Sequence, residues 1–261
     1  MYRVRACFLG PICAVWLAMT AVFCPAWAAP SEGAAPASSS TLWPSATLED
    51  GKWWYGLGAL ALVSSCTQVD ESVRNSIKVD PDLRQPGLAA VGNQWAELGG
   101  VGVVAAMYGL GQYVNQPLWV DTSATMAWSS LISAGATRVM KGAGGRLRPY
   151  QSSASNEWFE QGESFPSGHT TQAFALSTAF AESVPNPSWQ RRAIAYSLAG
   201  ATAYARMYDD KHWFSDTVAG ALVGIVSARF VIKSNLKSTN LKLLVFPTED
   251  KGASVNVVST W

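Results

Sequence analysis

The chain contains two histidines, and both stand in polar clusters whose residue types suit phosphoryl transfer. His169 closes the sequence Pro-Ser-Gly-His at 166–169, directly before an apolar run with helical spacing. His212 precedes Asp216 by four residues, so on a helix the carboxylate could accept the Nδ1–H of the imidazole and leave Nε2 free to attack. His169 could then give a proton to the departing oxygen. The two clusters suit a reaction with one nucleophilic imidazole and one general acid.

Three cations and a helix start could hold the anion that such a reaction needs. Lys141 and Arg148 flank a Gly-rich segment, where two like charges favour an anion between them. Arg206, near the end of a later helix, could add a third charge. The arginine fork matches a tetrahedral oxyanion, and lysine adds a point charge. Ser167 and Gly168 open a helix whose N–H groups attract an anion and let it approach the backbone. Together these groups predict a phosphate pocket.

Each cluster taken alone also has an ordinary structural interpretation. Pro-Ser-Gly-His is a common capped helix start, and a lysine and an arginine beside a Gly-rich segment are usually solvated. His212 and Asp216 could pair on a surface helix. A metal site at His212 with Asp209, Asp210 and Asp216 is conceivable, but one imidazole among adjacent acids lacks the spacing of a zinc site. The order and spacing of the clusters together favour the phosphate pocket.

Helices must position these residues, because apolar side chains recur at intervals of three to four from Lys52 onward with few alternating runs. The predicted spans are 53–66, 70–78, 89–114, 118–141, 168–184, 188–206 and 213–233, with a break in the third near Gly99–Gly100. Asp70, Asp80 and Asp121 stand where helix N-caps could be, and Gly142 to Gly145 form a stop. The fold class predicted is all-α, a helical bundle with a small C-terminal β-hairpin.

The organisation along the chain follows from composition. Residues 1–28 have two arginines, an uncharged stretch and an Ala-x-Ala site, which predicts a signal peptide and export to the periplasm; an uncleaved anchor is the alternative. Residues 29–50, rich in Ala, Ser and Pro, predict a flexible linker. The helical domain covers 51–235, and 236–261 form the hairpin appendage, whose role stays open. Of four cysteines only Cys66 lies beyond the leader, and a lone buried thiol is expected.

Composition also limits the partners. The formal net charge is +1 and no Lys/Arg-rich block occurs, which argues against nucleic acid. The later uncharged stretches are shorter than the roughly 20 residues that a membrane crossing needs, so a soluble helical core explains them better. The first three stretches are borderline, so peripheral contact with a membrane stays open.

The three clusters resemble a known signature. Lys141-x6-Arg148-Pro149, then Pro-Ser-Gly-His, then Arg206-x5-His212-x3-Asp216 is similar to the three motifs of the type 2 phosphatidic acid phosphatase (PAP2) superfamily, which includes bacterial acid phosphatases and vanadium-dependent haloperoxidases. The resemblance covers about residues 90–230. One position departs from it, since Ala205 stands where the family usually has a serine.

The resemblance implies a helical bundle with the site at one end of the core helices. It implies that His212 is a nucleophile forming a phosphohistidine, that Asp216 orients it and that His169 is the general acid. By the same analogy the phosphoryl oxygens are held by Lys141, Arg148, Ser167, Gly168 and Arg206. No metal ion or other cofactor is implied.

The function expected from these motifs is an exported phosphatase acting on phosphate monoesters. The substrate could be a lipid phosphate, such as phosphatidate or an isoprenoid phosphate, or a small soluble ester. Two alternatives stay open: a vanadate-dependent haloperoxidase, and a non-catalytic helical binding protein. The natural substrate and the oligomeric state are not determined by the sequence.

Overall fold

The computed structural model of the chain describes residues 53–96, 100–234, 241–247 and 253–259, with side chains from 55–96 and 100–234. The predicted signal peptide and linker lie outside the described residues. The helices are α1 (Trp53–Thr67), α2 (Asp70–Val79), α3 (Pro86–Gln94), α4 (Gly100–Tyr113), α5 (Pro117–Gly144), α6 (Gly168–Glu182), α7 (Trp189–Tyr208) and α8 (Phe214–Ser234). The predicted all-α architecture is confirmed over the described part of 53–234.

Several helix ends follow the expected local chemistry. Pro117 begins α5, where a missing N–H costs nothing. Ser188 caps α7, since its hydroxyl accepts a hydrogen bond from the Arg191 N–H at 3.2 Å. Gly145 ends α5 in the left-handed region at φ 52°, a conformation that glycine adopts without steric cost.

The break predicted near Gly99–Gly100 agrees with the start of α4 at Gly100, after α3 ends at Gln94. Other predicted ends are wrong. Helix α5 runs through Gly142 to Gly144, so Lys141 lies inside its last turn and not at the start of a loop. Asp121 lies within α5, and Asp80 follows the end of α2. Aspartate is a common N-cap residue, but neither Asp80 nor Asp121 stands at the start of a helix.

Helix α6 lies at the centre of the bundle and packs against α5, α7 and α8. Between Thr170 and Ala181 every residue of α6 is buried except Gln172 and Phe180, which are half-buried. A helix that is buried on nearly all sides is a core helix. Its C-terminal half joins a hydrophobic cluster with neighbours from α5 and α8; the buried members are Met126, Leu176, Ala179 and Ala228.

Two glycines allow α6 and α8 to approach closely. A Cβ at Gly220 would lie 2.7 Å from the carbonyl oxygen of Ser167, and one at Gly224 would lie 2.4 Å from that of Thr171. Real Cβ atoms essentially never come so near, so the two backbones touch only because these positions carry no side chain. This contact fixes the start of α6 against the first half of α8.

Helix α8 is long and apolar enough to cross a membrane by length and composition, the one such helix in the part of the chain that the structure describes. Of its most apolar stretch, 67% is buried inside the protein, as expected for a core helix. Beyond it, strands β1 (Leu241–Pro247) and β2 (Ala253–Ser259) pair antiparallel, with Leu241 opposite Ser259 and Leu244 opposite Asn256. They lie in the segment for which the sequence predicts a hairpin.

Candidate active site

Five of the predicted site residues line one cavity of about 410 Å³ at one end of the bundle. They are Lys141, Arg148, Gly168, His169 and His212. The cavity therefore brings together the end of α5, the segment after it, the start of α6 and the turn before α8. Both imidazoles face this common space, as the sequence analysis requires.

The other three predicted residues lie behind the cavity wall. Ser167, Arg206 and Asp216 are buried and are not among the lining residues. The Ser167 N–H donates to the carbonyl oxygen of Asp216 at 3.0 Å, and its hydroxyl lies 2.9 Å from the hydroxyl of Thr170. The Arg206 guanidinium lies 3.5 Å from the carboxylate of Asp209. These three buried side chains lie behind the residues that line the cavity.

His212 is oriented by a backbone carbonyl. It precedes the first residue of α8 by two positions, so the prediction that it shares a helix with Asp216 is wrong, although the two side chains lie within ion-pair distance. The Nδ1 atom lies 2.8 Å from the carbonyl oxygen of Ser164 and 3.8 Å from the Asp216 carboxylate, which is beyond hydrogen-bond distance. Because a carbonyl only accepts, Nδ1 carries the proton and Nε2 keeps its lone pair.

Burial keeps the His212 ring neutral. It lowers the pKa of His212, and this effect outweighs the nearby Asp216, which favours the charged ring. His169 is exposed at the first turn of α6. Both imidazoles line the cavity, but the His212 ring is buried and neutral whereas His169 is exposed to solvent.

Asp216 is held by three hydrogen-bond donors. Its Oδ1 accepts from Arg146 at 2.6 Å, and its Oδ2 accepts from the Ser164 hydroxyl at 2.5 Å and the Trp213 N–H at 2.9 Å. Burial would raise the pKa of this carboxyl, but the proximity of His212 and Arg146 outweighs burial and lowers it. The carboxylate therefore stays ionised beside the imidazole.

Ser164 was missed by the sequence analysis. Its hydroxyl donates to Asp216, and its carbonyl accepts from His212, so one residue joins the two. Its own N–H donates to the carbonyl oxygen of Arg146 at 2.9 Å, which anchors it on the segment after α5. A serine two residues before Pro166 has no distinguishing pattern, so nothing in the sequence would have singled it out.

Arg146 and Asp70 were also missed. The Arg146 guanidinium is fully buried and binds both Asp216 and Asp70 at 2.6 Å. Asp70 lies at the start of α2, far along the chain from the three motifs. Arg146 lies inside the first motif, two residues before Arg148. The sequence does not show that its side chain is fully buried, so it was not singled out as a site residue.

The cavity has a positive wall suited to an anion. The Lys141 ammonium donates to the carbonyl oxygen of Glu163. Burial and then the adjacent Arg148 lower the pKa of Lys141 to about 8. Since α6 begins at Gly168, the N–H groups of its first turn have no acceptor within the helix. Two cations and a helix N-terminus on one cavity are the elements of a phosphate site. Within 55–96 and 100–234, no three His, Cys, Asp or Glu side chains group as metal ligands.

The chain is similar to known proteins over part of its length. The family model described as the PAP2 superfamily matches residues 122–240. Over 157 residues the chain is 27% identical to the lipid A 1-phosphatase of Porphyromonas gingivalis, an alignment that covers 58% of this chain and 34% of the relative. The chain thus spans about a third of the length of the curated relative it matches. The crystal structure of Aquifex aeolicus LpxE is 20% identical, covers 63% of this chain and 95% of that chain, and has a TM-score of 0.48.

Proposed function

The chain belongs to the PAP2 superfamily, and we propose that it hydrolyses phosphate monoesters through a phosphohistidine formed on His212. The observation that carries the proposal is the position of the two imidazoles on one cavity with Lys141 and Arg148. His212 has its Nδ1 committed to the Ser164 carbonyl, so its Nε2 is the free nucleophilic atom.

The reaction has two steps. The phosphoryl group binds between Lys141, Arg148 and the first turn of α6. Nε2 of His212 forms a bond to phosphorus while the ester P–O bond breaks, and His169 gives its proton to the departing oxygen. Water then attacks phosphorus and gives a proton to His169, the N–P bond breaks, and inorganic phosphate leaves. The protein contributes mainly position and charge, as phosphoryl transfer requires.

The substrate class we propose is a lipid phosphate. The name of the Porphyromonas gingivalis relative supports this class. The surface supports it too, because α4 has no charged residue and exposes Val101, Leu110 and Tyr113. Helix α1 likewise exposes Leu57 and Leu60. Such apolar side chains can lie against acyl chains at a membrane surface.

One residue that lines the cavity is close to α4 in the sequence. Ala96, which lies four residues before the start of α4, lines the cavity together with Lys141 and His212. A phosphate could therefore bind at the cations while its apolar remainder extends toward α4. Export through residues 1–28, to the periplasmic face of a membrane, completes the proposal.

The first test is a substrate panel on the full chain. We expect turnover of a lipid A-type disaccharide phosphate, phosphatidate or an isoprenoid phosphate in mixed micelles, at a higher kcat/KM than p-nitrophenyl phosphate. His212→Ala should lower kcat by several powers of ten, since it removes the nucleophile. A wild-type chain that turns over no phosphoester, with a native circular dichroism spectrum, would contradict the proposal.

The second test separates the two histidines. Nitrophenolate leaves without protonation, whereas an alkoxide needs a proton. His169→Ala should therefore slow a lipid phosphate much more than p-nitrophenyl phosphate, while His212→Ala should abolish both. Equal losses on both substrates for His169→Ala would refute its role as general acid. An acid-labile, alkali-stable radiolabel from a ³²P-labelled substrate, absent in His212→Ala, would identify the phosphohistidine.

A further inference from the structure

Arg146 occupies a closed site between two carboxylates. Its Nη1 donates to Asp216 at 2.6 Å and to the Ser215 hydroxyl at 2.8 Å, and its Nη2 donates to Asp70 at 2.6 Å. The remaining N–H groups, on Nε and Nη2, donate to the carbonyl oxygen of Ser155. All five guanidinium donors are thus satisfied, and the side chain is fully buried.

The plane of this guanidinium is also fixed. It lies over the ring of Trp158 at 4.6 Å and near that of Trp213 at 5.5 Å. Cation–π contacts of this kind are stronger where water is excluded. Arg146 therefore has one orientation available, and Asp216, which it binds, takes its position from it.

Asp70 fixes the other side of the cluster and the start of α8. Its Oδ1 accepts from the Ser215 N–H at 2.7 Å, and its Oδ2 accepts from the Ser215 hydroxyl at 2.6 Å. Ser215 is the second residue of α8, so Asp70 caps that helix from a different part of the chain. One carboxylate thus binds Arg146 and sets the helix start from which Asp216 projects.

We propose that Asp70 and Arg146 are positioning residues of the catalytic site, which hold Asp216 beside His212 and set the net charge that the imidazole experiences. The role in catalysis rests on the proposed function. Neither residue is among those that line the cavity and both side chains are fully buried, so their effect on His212 passes through Asp216.

Opposite charges in the cluster give opposite predictions. Removing the Asp70 charge leaves the Arg146 cation balanced by Asp216 alone, which disfavours a protonated imidazole. Removing the Arg146 charge leaves two carboxylates, which favours a protonated imidazole. The other charged or titratable groups around His212 remain in place in both variants; they are Asp216, Lys141, Arg148, His169, Arg206 and Glu163.

The experiment is an NMR titration of the His212 ring in the full chain. With two histidines in the sequence, His169→Asn assigns both signals. We expect Asp70→Asn to lower the pKa of His212 and Arg146→Gln to raise it, each by about 1 pH unit. Arg192→Gln is the matched control: it removes the same charge from an ion pair with Glu182 at the far ends of α6 and α7, and should shift nothing.

A purely structural role would not produce shifts of opposite sign. Arg146→Lys keeps the charge but loses the five-donor fork, so it should leave the pKa of His212 near the wild-type value while kcat falls at least tenfold with little change in KM. If Arg146→Gln does not fold, the inference is tested with Asp70→Asn and Arg146→Lys.

Equal, absent or same-direction shifts in Asp70→Asn and Arg146→Gln would overturn the inference. If the shifts are opposite but the wild type turns over no phosphoester, the charge cluster stands and the proposed phosphatase function fails. If the wild type turns over phosphoesters and the pKa of His212 is unchanged in both variants, the proposed phosphatase function stands and the proposed role of the charge cluster fails. The two proposals therefore fail by different observations.

Discussion

Replacing Gly224 by alanine should separate α6 from α8 and disturb the site at their shared end. The added Cβ would lie 2.4 Å from the carbonyl oxygen of Thr171, whereas ordinary contact begins at 3.4 Å. The clash is with helix backbone, which cannot rotate away as a side chain can. The helices must therefore move apart by about 1 Å, and overpacking of this size costs about 1–3 kcal/mol.

Gly135→Ala is the matched control. Gly135 lies in α5, and a Cβ there meets nothing within 4 Å. Both variants gain helix propensity of up to about 1 kcal/mol, so the difference between them isolates the packing cost. We expect Gly224→Ala to unfold about 2–12 °C below Gly135→Ala, since 1 kcal/mol corresponds to about 2–4 °C for a domain of this size.

The same displacement should also lower the rate of catalysis. Thr171 lies one turn beyond Gly168 and His169, so a shift of α6 relative to α8 moves the cavity wall relative to His212. A misplacement of about 1 Å can reduce turnover about 10²-fold. Differential scanning calorimetry gives the unfolding temperature, and steady-state kinetics at temperatures below the unfolding range give kcat. Identical unfolding temperature and kcat in the two variants would refute close helix packing as the device that positions the site.

Three other predictions concern the pH profile, the core and the thiol. The acid limb of kcat/KM should fall below the ordinary imidazole range, because burial lowers the pKa of His212 and the neutral, attacking form persists to lower pH. Loss of the Lys141 charge near pH 8 should weaken phosphate binding, so KM for p-nitrophenyl phosphate should rise there, and Lys141→Arg should move this rise to higher pH because a guanidinium stays charged. Met126→Ala should lower the free energy of unfolding by about 2–5 kcal/mol in urea titrations, since the side chain is fully buried, while kcat per folded molecule stays near wild type. Burial raises the pKa of the Cys66 thiol to about 11, so Ellman titration of the native chain should match that of Cys66→Ser and exceed it by one thiol only after denaturation.

The sequence predicted the helices and the residues around the cavity because those depend on local patterns. Hydrophobic spacing located the helical regions, and the glycine pair at 99–100 indicated the break before α4. Motif order identified Lys141, Arg148, His169 and His212, and the structure brings these four to one cavity. Their catalytic roles remain predictions.

The partners of the motif residues could not be predicted, because they come from tertiary contacts. Asp70 suggested a cap for its own helix by residue type, yet it caps α8, 145 residues away. Spacing of four suggested that Asp216 bonds His212, but the helix begins after His212 and the carbonyl of Ser164 takes that position. A backbone carbonyl has no signature in the side-chain sequence, so this hydrogen bond was invisible to motif analysis.

The net charge of the buried cluster of Asp70, Arg146 and Asp216 affects the proposed attack by His212. Burial raises the pKa of Asp70, but its carboxylate accepts three hydrogen bonds, one of them from Arg146, which favour the ionised form. With Asp70 and Asp216 ionised, Arg146 charged and the His212 ring neutral, the cluster has a net charge of −1. In the proposed mechanism the ring becomes cationic as Nε2 bonds to phosphorus, and the cluster then becomes neutral. The net negative charge of Asp70, Asp216 and Arg146 favours the cationic ring and so opposes the burial that disfavours charge on His212. Interactions that strengthen as the reaction proceeds lower the barrier, whereas those equal in both states do not. The second carboxylate is essential to this effect, because Arg146 with Asp216 alone would start neutral and gain a net charge on attack.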